Sequence, residues 1–206
     1  MVELEMRPVE RHPLDPFLPE GCRLLMLGSF PPERRRWSME FFYPNFNNDM
    51  WRIMGTVFYG DRDRFVVRGG HRFDRDGVMA FCAEHGIGLY DTASEVRRLA
   101  GNASDKFLEV VAPTDVRALL RAVPACRAVA ATGEKAAATF AAAMGCAVPA
   151  IGASVQFDFG GRQMRFYRMP SSSRAYPLAL ERKAAVYEGM FRAECMLSRE
   201  CPRAPR

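Results

Sequence analysis

The apolar positions of the chain fall into short unbroken runs separated by stripes of helical period, and the alternation between the two predicts the fold. Residues 24–27, LLML, are apolar without a break and end at Gly28, the pattern of a central parallel strand buried on both faces. Two more runs behave alike: 87–90, ending in Asp91-Thr92-Ala93, and 128–132, ending at Gly133. Between them lie helix signals. Asn47, Asn48 and Asp49 offer N-cap oxygens to a helix through Trp51, Ile53 and Met54, Asp76 caps one that Gly86 stops, and Pro113-Thr114-Asp115 opens one that Pro124 closes. An alanine-rich helix begins at Glu134, and 107–111 reads as a short helix behind the cap residues Asn102, Ser104 and Asp105. Alternating runs at 156–159 and 163–169 flank Gly160-Gly161 and predict a hairpin, after which a last helix runs from 178 to about 196. Residues 1–21, with four prolines, read as an extended lead-in without chemistry of its own. Strands alternating with helices and closed by a late strand pair predict an α/β fold, a three-layer α/β/α sandwich with a mainly parallel central sheet.

Composition narrows this picture. With 206 residues, 49% of them apolar, the chain suits one domain over 1–206, with a frayed tail at 197–206. It has neither a transmembrane-length apolar stretch nor an N-terminal signal core, so a cytoplasmic monomer is expected. The six cysteines form no C-x-x-C pair, which gives no support for a zinc site or a disulfide framework and favours reduced, structural thiols. A net charge of +5 permits a nucleic-acid partner and disfavours cationic substrates. The charged, glycine-rich stretch 60–76 reads as a loop excursion, and its His71 as a solvent-exposed histidine with no evident partner.

Two loops at strand ends carry the candidate chemistry: Gly28-Ser29-Phe30-Pro31-Pro32 with its continuation through Tyr43 and Asn48, and Met169-Pro170-Ser171-Ser172-Ser173-Arg174-Ala175-Tyr176. In open α/β sheets that edge is where ligands bind. Neither loop contains a histidine, and Ser171–Ser173 lack the G-x-S-x-G elbow, which argues against serine hydrolase chemistry. Thr132-Gly133-Glu134-Lys135 lacks the glycines of a P-loop or dinucleotide fingerprint. What the two loops offer is amides, hydroxyls, aromatic rings and backbone N–H groups. That inventory suits a leaving group departing as a stabilised anion and a positioned water as nucleophile.

The ordered strings L-G-S-F-P-P, Y-P-x-x-x-N-x-x-W and M-P-S-S-S resemble the uracil-DNA glycosylase superfamily over about residues 22–192. The first is similar to the hypoxanthine-DNA (deoxyinosine) glycosylase branch; the last is similar to the thymine and mismatch-uracil glycosylases. The resemblance implies a monofunctional DNA glycosylase acting on a deaminated base, hypoxanthine or uracil, flipped out of DNA in base-excision repair, with DNA as partner and no cofactor or metal. It implies Asn48 as the catalytic residue, a base pocket of Gly28, Ser29, Phe30 and Tyr43, and DNA contacts from Ser171, Ser172, Ser173, Arg174 and Tyr176. Two departures accompany it: Phe30 stands where strongly active members carry Asp or Asn, and Met169 where the classical uracil enzymes carry histidine. The residues alone leave other roles open. Asn48 can be a helix cap, Tyr43 and Phe42 core aromatics, Ser171–Ser173 a turn, Ser104 or Asp105 a cap or a substrate ligand, and Arg34-Arg35-Arg36 a solvated run or a DNA contact. A nucleic-acid-binding module that kept the fold without the chemistry, and an N-glycosidase of a free modified nucleoside, remain as alternative functions.

Overall fold

The structure is a computed structural model and describes residues 7–99 and 107–197. Five strands form the main sheet: β2 (Leu24–Gly28), β3 (Ile87–Asp91), β6 (Ala128–Thr132), β7 (Ser154–Phe159) and β8 (Arg162–Met169), in the order β3-β2-β6-β8-β7. All neighbours run parallel except the β7–β8 hairpin, which is antiparallel. Because side chains alternate across a strand, Leu24, Met26, Ala128 and Ala130 face one core and Leu25, Leu27, Val129 and Ala131 the other. The first core is closed by α1 (Met50–Tyr59), α2 (Arg75–His85) and α5 (Leu180–Ala193), through residues such as Trp51, Phe81 and Phe191. The second is closed by α3 (Val116–Ala122) and α4 (Glu134–Met144), through Leu120, Ala137 and Phe140. Burial on both faces is why these strands read as unbroken apolar runs, each buried Leu or Met contributing roughly 1.5–3 kcal/mol. This is the expected three-layer α/β/α sandwich.

A second, three-stranded antiparallel sheet was not legible in the sequence. It orders β1 (Glu10–Arg11), β4 (Ala93–Arg98) and β5 (Leu108–Pro113) as β1-β4-β5. The helix expected over 107–111 is thus corrected to strand β5, where β-branched Val110 and Val111 suit a pleated, half-buried surface. Its proposed cap residues Asn102, Ser104 and Asp105 lie outside the described residues. The small sheet covers a cluster of Phe30, Ala93, Val96 and Leu108, and Glu10–Arg11 of the lead-in are one of its strands. The cap of α2 is also corrected: Asp74, not Asp76, accepts the Gly77 N–H, at 3.1 Å. His71 is exposed, as expected, with its ring edge-on to Phe46. Cys22, Cys82, Cys126 and Cys146 are free thiols, whereas Cys195 is disulfide-bonded, against the expectation of reduced thiols.

Candidate active site

The C-terminal ends of β2, β3 and β6 and the loop leaving β8 meet in a cavity of about 1240 Å3. Gly28, Ser29, Phe30, Tyr43, Asn48, Ser171, Ser172, Ser173, Arg174 and Tyr176 all line it, so the residues singled out from the two loops are brought together. Ser104 and Asp105 lie outside the described residues, and of the arginine run Arg36 alone lines the cavity.

The two loops are fastened by backbone and by charge. Asn48 forms an antiparallel bridge with Ser173, and the Asp49 N–H donates to Ser172 O at 2.9 Å. Behind this bridge, Lys183 of α5 donates from Nζ to Asp49 Oδ2 at 2.9 Å and to Ser173 O at 2.7 Å, and its side chain is 1% exposed. Arg174 approaches Asp49 Oδ1 at 3.5 Å and donates to Asn47 Oδ1 at 3.3 Å. Tyr187 donates to Pro170 O at 3.0 Å, and burial pushes its phenol well above the ordinary value, so it remains a donor.

Asn48 has two roles available at once. Its Oδ1 accepts the N–H of Met50, the first residue of α1, at 2.9 Å, although the cap position itself is taken by Asp49, and this contact fixes which end of the amide is oxygen. Among the described residues, one lone pair of Oδ1 and both N–H groups of Nδ2 remain for a ligand at the cavity wall. Tyr43 adopts φ 49°, an uncommon left-handed conformation for an aromatic residue. That turn carries its hydroxyl to within 3.0 Å of Thr132 Oγ1, and its ring stands edge-on to Trp51. Trp51 in turn donates to Phe42 O at 3.1 Å, pinning the loop. The serines act mostly through backbone geometry: the Ser171 and Ser173 hydroxyls accept the Ser173 and Ala175 N–H groups, and Ser172 is 3% exposed. Phe30 is 8% exposed and belongs to the cluster of the small sheet.

The fold has a counterpart of known structure. The solution NMR structure of a protein from Methanosarcina acetivorans, described as a "putative Uracil DNA glycosylase", matches with a TM-score of 0.61 at 21% identity, over 91% of this chain and 99% of that chain. At that identity the likeness establishes a shared fold. No protein-family model and no curated protein matches the chain. No described helix is long and apolar enough to cross a membrane, and no group of three or more His, Cys, Asp or Glu among the described residues is placed to hold a metal ion.

Two residues of the site were given no role from the sequence. Asp91, at the end of β3, lines the cavity, and His12 places Nε2 2.9 Å from Asp91 Oδ2. The His12 ring is packed by Phe30, at 5.3 Å between centroids, and by Tyr90, at 4.6 Å. Burial, and after it the Asp91 carboxylate, push the Tyr90 phenol up, so that neighbour stays neutral. Strand-end position was the signal for Asp91; nothing in the Pro-rich lead-in marked His12.

Proposed function

We propose that the protein is a monofunctional DNA glycosylase that hydrolyses the N-glycosidic bond of a deaminated base, hypoxanthine or uracil, extruded from DNA, as in base-excision repair. The observation that carries the reading is the bridge between Asn48 and Ser173: the two loops whose strings resemble the glycosylase superfamily meet at one cavity on the sheet's C-terminal edge. The shared fold with a protein described as a glycosylase agrees with it.

In this reading the target nucleotide leaves the stack, at roughly a few kcal/mol, less for a mismatched base. The base enters against Tyr43, which is held by Thr132 and Trp51. The C1′–N bond breaks through an oxocarbenium-like state, its electron pair leaving with the base. Backbone N–H groups at Ser29 and Phe30 hold the departing carbonyl. Asn48 holds a water whose oxygen bonds to C1′, while one water proton is released and the base is protonated in turn. Ser171, Ser173, Arg174 and the exposed Arg36, all lining the cavity, would bind the flanking phosphates, Ser172 would act through its backbone, and Arg174 or Tyr176 would fill the vacated stack as a wedge.

The test is cleavage, after alkali treatment, of labelled duplexes and single strands carrying uracil, hypoxanthine, xanthine or a G·T mismatch. Wild type is expected to cleave at a deaminated base and Asn48→Ala to lose cleavage about a hundred- to a thousandfold with DNA affinity nearly intact. Phe30, packed in the small-sheet cluster where a water-handling acid would stand, favours one other reading, a binding module without catalysis. DNA binding without cleavage of any substrate would select it.

A further inference from the structure

Cys22 and Cys126 occupy equivalent places at the edge of the main sheet remote from the candidate active site. Each closes a tight turn, the Cys22 N–H donating to Pro19 O at 3.1 Å and the Cys126 N–H to Val123 O at 3.0 Å, and each is followed by an arginine. The strands they lead into are neighbours. β2 pairs with β6 in parallel with Leu24 opposite Ala128, and the Arg127 N–H donates to Arg23 O at 2.9 Å, so the two cysteines stand side by side just before the ladder. Both are 2% exposed, and both face the core under α3 and α4. Neighbouring strands lie about 4.8 Å apart, inside the Cα separation of about 4.4–6.8 Å that a disulfide spans. As thiols, Cys22 Sγ donates to Leu24 O at 3.6 Å and Cys126 Sγ to Ala128 O at 3.2 Å, weak sulfur bonds that are given up at little cost. The Cys126 S–H also reaches the Cys22 sulfur, and that contact holds the Cys22 thiol below its ordinary value although burial pushes it up. Cys82, also buried, shows the opposite: burial pushes its thiol up. A second cavity, of about 790 Å3, opens at this edge with Cys126 in its wall beside Arg23, Arg127, Arg162 and Arg165, and no acidic side chain lines it. Arg162 is engaged by backbone carbonyls, among them Leu120 O at 2.9 Å and Pro124 O at 2.7 Å, and Arg165 pairs with Glu194 at 2.8 Å, whereas Arg23 and Arg127 are exposed. An electropositive, partly open wall is the setting in which thiols react.

We propose that Cys22 and Cys126 are an oxidation site, a dithiol that hydrogen peroxide closes to a disulfide and that then clasps β2 to β6. The Cys22 thiolate attacks one oxygen of the peroxide. The O–O bond breaks, leaving a sulfenic acid on Cys22 and a hydroxide, which takes up the proton the thiol released and becomes water. The Cys126 sulfur then attacks the Cys22 sulfur. The S–O bond breaks, the hydroxyl leaves with the Cys126 proton as a second water, and the S–S bond forms. Two thiols are oxidised and one peroxide is reduced. Cys146, half-buried and pushed up by burial, is the thiol against which selectivity is measured. The site lies at the other end of the strands from Gly28 and Thr132, so it stands apart from the glycosylase reading and its test needs no substrate.

The test is oxidation of the full chain, folded, with hydrogen peroxide, followed by alkylation in denaturant and by intact mass and peptide mapping without reduction. The expected result is the loss of two hydrogens from the intact chain and one new linkage, between the Cys22 and Cys126 peptides, with Cys82 recovered as a thiol. Peroxide that oxidises Cys146 and leaves Cys22 and Cys126 as thiols overturns the proposal. So does a linkage that forms only when the chain is unfolded before oxidation, or one that joins either residue to a different cysteine. The order of the two steps is read with dimedone, which traps sulfenic acids. Cys126→Ala removes the thiol that resolves the first product, so the Cys22 peptide is expected to be labelled in this variant and not in wild type; equal labelling in the two proteins overturns that order. If Cys126→Ala does not fold, mapping of wild type decides alone. The disulfide closes a long loop, and the oxidised chain is expected to melt on the order of 10 °C higher than the reduced one; an unchanged Tm overturns the clasp.

Discussion

Two buried carboxylates stand close behind the cavity, Asp49 on the side of α5 and Asp91 on the side of the small sheet, and they are satisfied to different extents. Asp49 has Lys183 on one oxygen at 2.9 Å and Arg174 near the other at 3.5 Å, and the Lys183 ammonium has a second acceptor in Ser173 O. Asp91 has His12 on one oxygen, and among the described residues no hydrogen-bond donor on the other, at the cavity wall. The first pair is a strut that joins two loops; the second leaves a lone pair on offer. A buried charge by itself therefore indicates no function here. Counting the unfilled lone pairs separates the structural carboxylate from the one that can meet a ligand.

The largest effect expected from breaking this contrast is on the strut. Lys183→Ala leaves Asp49 buried with only the half-exposed Arg174, 3.5 Å away, and removing one partner of such a pair costs about 3–5 kcal/mol. For a domain of this size that lowers Tm by roughly 2–4 °C per kcal/mol, read by calorimetry. The double replacement Asp49→Leu with Lys183→Met is expected to recover most of the loss, because an apolar pair has no charge to strand. A full loss in the double variant would show that the pair sets loop geometry beyond its own charge balance.

Next comes Asn48, where cap and site chemistry can be divided. Asn48→Asp keeps an oxygen for the Met50 N–H but loses the two amide donors. Cleavage is expected to fall about a hundred- to a thousandfold, the typical loss of one preorganised donor, with Tm nearly unchanged. Asn48→Ala is expected to show the same loss of cleavage and about 1 kcal/mol of added instability from the missing cap. If both variants lose stability and activity in proportion, the residue is a cap alone.

The two loops that the strut joins were more legible in the sequence than the small sheet and the His12 contact to the open carboxylate, and the reason is physical. The main sheet is buried on both faces, so 24–27, 87–90 and 128–132 announce themselves as apolar runs, and the loops that follow inherit a predictable place at the sheet edge. Asn48 and Ser173 sit in those loops. The small sheet has one wetter face, and in β4, ASEVRR, the half-buried polar residues Ser94, Glu95 and Arg97 and the buried Arg98 break the apolar signal. Its first strand is only two residues long and is specified by pairing with Val96 and Glu95, partners that no local window contains. His12 follows that strand and meets Asp91 across 79 residues, so a contact made only by tertiary structure supplied it. Phe30 was visible as a missing acid but not as a wall of the small-sheet cluster.

Gly28→Ala tests the space that the open carboxylate occupies. The new Cβ meets Asp91 Oδ1 at 2.3 Å, so the carboxylate must move, with an overpacking penalty of about 1–3 kcal/mol. Cleavage is expected to fall. Gly60→Ala, with φ 67° and nothing within 4 Å of its Cβ, is the control for backbone strain alone and is expected to leave cleavage unaltered.

The smallest effect is expected at Arg174, whose side chain is 53% exposed and so contributes little to stability through its 3.5 Å approach to Asp49. If it contacts a phosphate, Arg174→Ala weakens DNA binding about equally for damaged and undamaged sequences and lowers the magnitude of the log Kd against log salt slope by about 1. Arg174→Lys keeps the slope, since a point charge suffices for counterion release, while losing the planar fork that reaches Asn47. An unchanged slope with lower Tm would move Arg174 from the DNA side of the contrast to the strut, as the second cation of Asp49. Fluorescence anisotropy across a salt series, with both variants and a uracil-containing and a plain duplex, distinguishes the two.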